Sequence, residues 1–151
     1  MKVAINGFGR IGKLVLRAFL ERNLKNIEIV AINDTGSLDS NYHLLQFDSN
    51  HGKLPFKILK TKIGLKIKNQ NIAFFSEKEP KNLPWRRLKV DVVLECSGFF
   101  ASKEKSQAHI QAGAKKVIIS APAANVDATI VQGVNNNALR GCWPLNVIGD
   151  P

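Results

Sequence analysis

The chain opens Met1-Lys2-Val3-Ala4-Ile5-Asn6 and runs at once into Gly7-Phe8-Gly9-Arg10-Ile11-Gly12, a G-x-G-x-x-G pattern set between two segments of different periodicity. Before it, Val3, Ala4 and Ile5 are consecutive apolar residues, as in a strand buried on both faces of a parallel sheet. After it, Ile11, Leu14, Val15, Ala18 and Phe19 recur at the spacing of one helix face, and Arg10, Lys13, Arg17 and Glu21 fall on other faces. The glycine spacing alone does not separate a nucleotide loop from a tight turn; the strand before it and the helix after it do. In a phosphate-binding turn Gly7 permits the reversal, Gly9 leaves the backbone open to a pyrophosphate, and Gly12 lets the helix lie close to the strand. The unpaired N–H groups of the first helical turn then face the phosphates, where the helix dipole favours negative charge.

A second strand, Ile27 to Ile32, ends in Asn33-Asp34, which places Asp34 22 residues beyond Gly12. A dinucleotide fold uses an acid at this point to accept hydrogen bonds from the adenosine ribose. The other reading of Asp34 is an Asx turn or cap at a strand end.

With 151 residues and 44% hydrophobic content, the chain is long enough for one domain with a sizeable core. It contains no run of 18 apolar residues, and its N-terminus enters a strand without a signal-like apolar segment, so the expectation is a soluble cytoplasmic protein without a membrane partner. Cys96 and Cys142 have no metal-ligand spacing and are expected to stay reduced, with Cys96 a small core residue inside an apolar strand. The net charge of +10 raises the alternative of a non-catalytic nucleic-acid-binding module on the same basic rim. However, Lys53, Lys57, Lys60, Lys62, Lys66 and Lys68 crowd one segment and alternate with apolar residues there, as on the solvated face of a hairpin. No aromatic residues interleave with them to stack bases.

Beyond Asp34, a helix carrying Leu44, Leu45 and Phe47 is expected with its cap at Asp39 or Ser40. Residues 54–75 read as short strands broken at Gly64 and at Asn69-Gln70-Asn71. Pro80 and Pro84 punctuate a turn before the strand Val90 to Cys96, and a helix capped by Ser102 runs to Ala112 and stops at Gly113. Lys116 to Ser120 and Ala128 to Val134 read as further strands. The pattern predicts an α/β fold, a Rossmann-like, doubly wound, mainly parallel sheet with a short antiparallel hairpin insertion. Ligands of such sheets bind beyond the carboxyl ends of the strands, here Asn6-Gly7, Asn33-Asp34, Cys96-Ser97-Gly98 and Ser120-Ala121-Pro122.

The stretches "VAINGFGRIG", "VAIND", "HLLQFDSNHGKLP", "LPWRRLKVDVVLECSGFF" and "AGAKKVIISAPAANVDATIVQGVN" resemble the cofactor-binding half of glyceraldehyde-3-phosphate dehydrogenase, over about residues 2–139. The resemblance implies a dinucleotide-binding domain over residues 1–139, a divergent tail over residues 140–151, and NAD as cofactor with NADP possible. It also implies that Arg10 and Ile11 meet the pyrophosphate through their N–H groups and that Asp34 holds the ribose. Lys78 stands where the family usually has an Arg whose backbone contacts the adenine. Ser97, Gly98 and Phe99 match the segment bordering the cofactor, and Ser120 matches a residue near the nicotinamide, with helix caps or strand-end turns as the other reading of both serines. Thr35 follows Asp34 as in the photosynthetic branch, where its hydroxyl helps to hold the NADP phosphate; Gly36 and Ser37 are further donors beside it.

The family is homotetrameric and oxidises an aldehyde to an acyl phosphate through a Cys thiolate and a His base. The Ser-x-Cys-Thr-Thr-Asn type motif that carries the nucleophile is absent from this sequence, and Cys142 sits between Gly141 and Trp143-Pro144 instead. His43, His51 and His109 lie in the half where the family keeps no catalytic His. The expectation is a domain that binds cofactor without catalysing alone. The change of pattern after Leu139 fits either a fragment ending near a domain boundary or a frameshifted terminus, and favours the second.

Overall fold

A computed structural model of the chain describes residues 1–22 and 24–137 and the backbone of Val147–Gly149. The elements in order are β1 (Lys2–Asn6), α1 (Arg10–Arg22), β2 (Glu28–Asn33), α2 (Leu38–Gln46), β3 (Phe47–Asp48), β4 (Gly52–Lys53), β5 (Ile58–Thr61), β6 (Gly64–Ile67) and β7 (Gln70–Phe75). A 3-10 turn (Pro80–Asn82) then leads to α3 (Trp85–Leu88), β8 (Val92–Glu95), α4 (Lys103–Gln111), β9 (Lys116–Ile119), β10 (Ala128–Thr129) and β11 (Val147–Gly149). Nine strands form one sheet in the order β10-β11-β9-β8-β1-β2-β7-β6-β5, and β3 pairs with β4 separately. The sheet is parallel except at β5–β6 and β6–β7, so the expected hairpin insertion is a three-stranded antiparallel meander. Chain order reverses at β1, which is flanked by β2 on one side and β8 on the other. Crevices in doubly wound sheets open at such a point.

Each strand feeds two cores because successive side chains point to opposite faces. Val3 and Ile5 pack with Leu16, Phe19, Leu20 and Leu45 on one face; Ala4 packs with Trp85, Val90, Val93 and Val117 on the other. In α1 the buried face differs from the expected apolar stripe: Ile11 and Ala18 are exposed, whereas Lys13 and Arg17 are buried. The cause is polar pairing. Arg17 donates to the carbonyls of Leu45 (2.8 Å) and Gly52 (2.9 Å), tying α1 to α2 and to the β3–β4 turn. The helix cap at α2 is Ser37 rather than Asp39 or Ser40, its side chain accepting from the Ser40 N–H at 3.1 Å. Of the three apolar residues assigned to that helix only Leu45 is buried; Leu44 points out and Phe47 has left the helix for β3. The strand expected at Ala128 to Val134 ends at Thr129. Ser102 does cap α4, accepting from the Lys105 N–H. Cys142 and the rest of the tail beyond Leu139 lie outside the described residues, apart from β11, which runs parallel between β9 and β10.

Candidate functional site

At the carboxyl ends of β1, β2 and β8 the structure opens a cleft of about 500 Å³. Gly7, Gly9, Asp34, Thr35, Lys78, Ser97 and Phe99 all line it, together with Asn6, Asn33, Glu77, Cys96 and Phe100. Arg10, Ile11 and Gly12 form the first turn of α1 beside the loop, and Gly98 lies between two lining residues. Ser120 is not in the lining: its hydroxyl donates to the Glu95 carbonyl at 3.1 Å, behind the cleft.

The three loop glycines divide their work as their surroundings dictate. Gly7 has φ +87°, and a Cβ on it would stand 2.4 Å from the Ser97 nitrogen. A Cβ on Gly12 would stand 2.2 Å from the Gly7 carbonyl oxygen, so its lack of a side chain is what lets α1 begin so close to the loop. A Cβ on Gly9 would meet nothing within 4 Å. That space belongs to the cleft.

Asp34 is bound into the glycine loop by a closed ring of hydrogen bonds. The Phe8 N–H donates to Asp34 Oδ2 at 2.7 Å, and Asn41 Nδ2 donates to Asp34 Oδ1 at 3.1 Å. Lys13 Nζ donates to Asn41 Oδ1 at 2.7 Å and to the Phe8 carbonyl, which closes the ring. Gly36 N–H adds a further bond to Oδ1 at 2.8 Å. Burial pushes the Asp34 carboxyl upward, but the Phe8 and Gly36 amides, the Asn41 amide and the Lys13 charge outweigh it and hold the group below its ordinary value. Lys13 is held below its own ordinary value by burial, against the opposing pull of Asp34. The ring fixes the distance between the glycine loop and the acid. It was not visible in the sequence because Lys13 reads as a solvated helix residue and Asn41 as an unremarkable one.

The floor of the cleft is a buried polar ladder that sequence reasoning also missed. Asn33 Nδ2 donates to Asn6 Oδ1 (2.7 Å) and Asn6 Nδ2 to Glu95 Oε2 (2.6 Å), crossing from β2 through β1 to β8. Glu95 is 1% exposed and also accepts from the Ser97 N–H (2.7 Å), the Ser97 hydroxyl and His109 Nε2 (2.9 Å). Trp85 Nε1 donates to His109 Nδ1 at 3.0 Å. Polar residues ending three neighbouring strands were the available signal. Cys96, expected in the core, is half-buried at the cleft wall, and burial pushes its thiol pKa up, away from nucleophilic character. Among the described residues no group of three His, Cys, Asp or Glu side chains is placed to hold a metal ion.

The cleft, the open Gly9 position and the acid that follows β2 are the parts of a dinucleotide site. Residues 1–103 match the family described as "Glyceraldehyde 3-phosphate dehydrogenase, NAD binding domain". The chain belongs to this family. Among its relatives, the chromosomal glyceraldehyde-3-phosphate dehydrogenase of Cupriavidus necator is 51% identical over 142 residues, covering 93% of this chain and 42% of the relative. The enzymes of Pseudomonas aeruginosa (48% over 141 residues, 93% and 42%) and Thermotoga maritima (49% over 139 residues, 92% and 42%) are similar to the same extent. The chain therefore spans about two fifths of the length of the relatives it matches. It is an NAD-binding domain of Rossmann type. Among the described residues no helix is long and apolar enough to cross a membrane.

Proposed function

We propose that these 151 residues bind NAD in the cleft between β1, β2 and β8, as the cofactor domain of a phosphorylating glyceraldehyde-3-phosphate dehydrogenase, and do not turn over substrate by themselves. The observation that carries this is the Asp34 ring, which orients a carboxylate and a glycine loop toward one empty volume. The Arg10 and Ile11 amides receive the pyrophosphate beside the open Gly9, Asp34 the adenosine ribose and the Lys78 backbone the adenine, while Ser97, Gly98 and Phe99 border the cofactor and Ser120 lies near the nicotinamide. Asp34 already accepts three hydrogen bonds, so about one of its roughly four lone-pair positions, on Oδ2, is left for a ribose hydroxyl. Burial raises the Cys96 thiol pKa and so disfavours the thiolate, and His109 is enclosed by Trp85 and Glu95. A cytoplasmic location, residues 1–139 as the cofactor domain with a divergent 140–151, and assembly into the family's homotetramer when a full-length partner is present belong to the same reading.

The choice between NAD and NADP rests on Asp34 and its neighbours. A 2′-phosphate needs donors, and two of the three that follow Asp34 are already used. The Gly36 N–H binds Asp34, and the Ser37 hydroxyl serves the α2 cap and Ser40. Thr35 stands exposed at the cleft but alone. NAD is preferred by about tenfold, the repulsion between Asp34 and a phosphate dominating. Calorimetric titration of both cofactors into the chain and into Asp34→Ala tests this: tighter NAD in the first and a narrowed or reversed preference in the second are expected. Tighter NADP in the unmutated chain contradicts it.

A further inference from the structure

The buried ladder ends at the cleft, and its chemistry runs one way. Trp85 Nε1 is a donor only, so His109 Nδ1 accepts and the proton of the neutral ring sits on Nε2, from which it is donated to Glu95. Four donors converge on the Glu95 carboxylate: Asn6 and His109 on Oε2, and the Ser97 N–H and hydroxyl on Oε1. They fill its lone-pair positions, so a carboxylate that is 1% exposed has a donor for each. What the carboxylate holds is the turn after β8. The Ser97 hydroxyl it binds also accepts from the Phe99 N–H at 3.2 Å, and Ser97 and Phe99 line the cleft. The same turn abuts the glycine loop, since a Cβ on Gly7 would lie 2.4 Å from the Ser97 nitrogen.

We infer that Glu95 is a positioning residue for the dinucleotide: through Ser97 it fixes the Ser97–Gly98–Phe99 turn against the glycine loop, and the donor chain from Trp85 through His109 fixes Glu95. The inference rests on the reading of the cleft as the NAD site. It assigns Glu95 no contact with the cofactor.

Because three of its four partners can only donate, a glutamine replaces the carboxylate in part. With its oxygen toward Asn6 and His109, its amide nitrogen can still donate to the Ser97 hydroxyl but faces the Ser97 N–H without accepting from it, so E95Q loosens the turn while leaving His109 and Trp85 paired. The test is calorimetry with NAD on the unmutated chain and on E95Q, with thermal melts and ¹⁵N-resolved amide spectra of both. Expected is an NAD affinity lower by about tenfold in E95Q, the worth of one bond to a charged group. The Ser97 and Phe99 amide signals should move while the Trp85 indole signal stays. A folded E95Q that binds NAD as tightly as the unmutated chain overturns the inference. If E95Q does not fold, S97A decides, because it keeps the carboxylate and its other donors: affinity should fall severalfold and S97T should restore it by returning the hydroxyl, whereas unchanged affinity in S97A overturns the inference. An unmutated chain that binds no NAD removes the cofactor reading, and this inference with it, and is told apart by that control.

Discussion

The glycine loop at residues 7–12 and the meander at residues 58–75 each place a glycine against backbone, as at Gly7, Gly12 and Gly64, but the loop also carries Gly9, where an added Cβ meets the opposite surroundings. At Gly9 it points into open space; at Gly64 it lies 2.0 Å from the Ile72 carbonyl oxygen and 2.8 Å from the Phe74 nitrogen. The meander has filled its glycine space with its own backbone, and the loop has left the space at Gly9 open. Charge follows the same division. Lys68 of the meander donates to the Leu20 carbonyl and lies 4.1 Å from the Phe56 ring centroid, and Lys60 pairs with Asp39. These lysines serve the chain itself. In the loop, Lys13 is drawn inward to hold Phe8 and Asn41, and Gly7 and Gly9 line the cleft. One region is closed by its own backbone, and the other leaves Gly9 open at the cleft.

The largest effect that would break this contrast is at Gly64. Gly64→Ala forces apart the β6–β7 pairing and should cost about 3 kcal/mol of stability in urea unfolding. The fraction that remains folded should bind NAD with unchanged affinity. Gly9→Val is the mirror case. Gly9 is not among the positive-φ glycines and its Cβ direction is empty, so the melting temperature should hardly move. NAD affinity should fall by at least about tenfold, because the branched side chain occupies the pyrophosphate approach. Equal affinity would make the loop a turn like the meander's.

The smallest effect concerns pH. Asp34 has its pKa depressed in the folded chain, so it contributes stability above the unfolded value of about 4 and loses that contribution as pH falls through the folded value. Asp34→Asn should therefore be less stable than the unmutated chain near neutrality, and the gap should close in urea melts taken below about pH 4. A gap that persists into acid would mean that shape, not charge, is what the ring requires.

Much of this could be read from the sequence, because the information was local. The strand, glycine turn and helix at residues 2–22 and the acid at Asp34 lie within one short stretch, and seven of the proposed residues line one cleft. What escaped was pairing across distance. Asn6 and Glu95 are 89 residues apart, and Trp85 and His109 are 24 apart; periodicity carries no trace of such contacts. The buried face of α1 was misjudged for a related reason: apolar spacing locates greasy positions and says nothing of a Lys13 or Arg17 that finds acceptors inside. The α2 cap slipped to Ser37 because four residues in a row, Ser37 to Ser40, include three with capping side chains.

The central claim, that the loop is left for NAD while the meander is complete, is tested most directly by amide chemical-shift mapping of the unmutated chain during NAD titration. The account predicts that the signals of Gly9, Arg10, Ile11, Asp34, Thr35, Ser97 and Phe99 shift together and saturate with one affinity, while those of residues 58–67 stay in place. Shifts concentrated in the lysine-bearing meander, or no saturable shifts in the glycine loop, would contradict it.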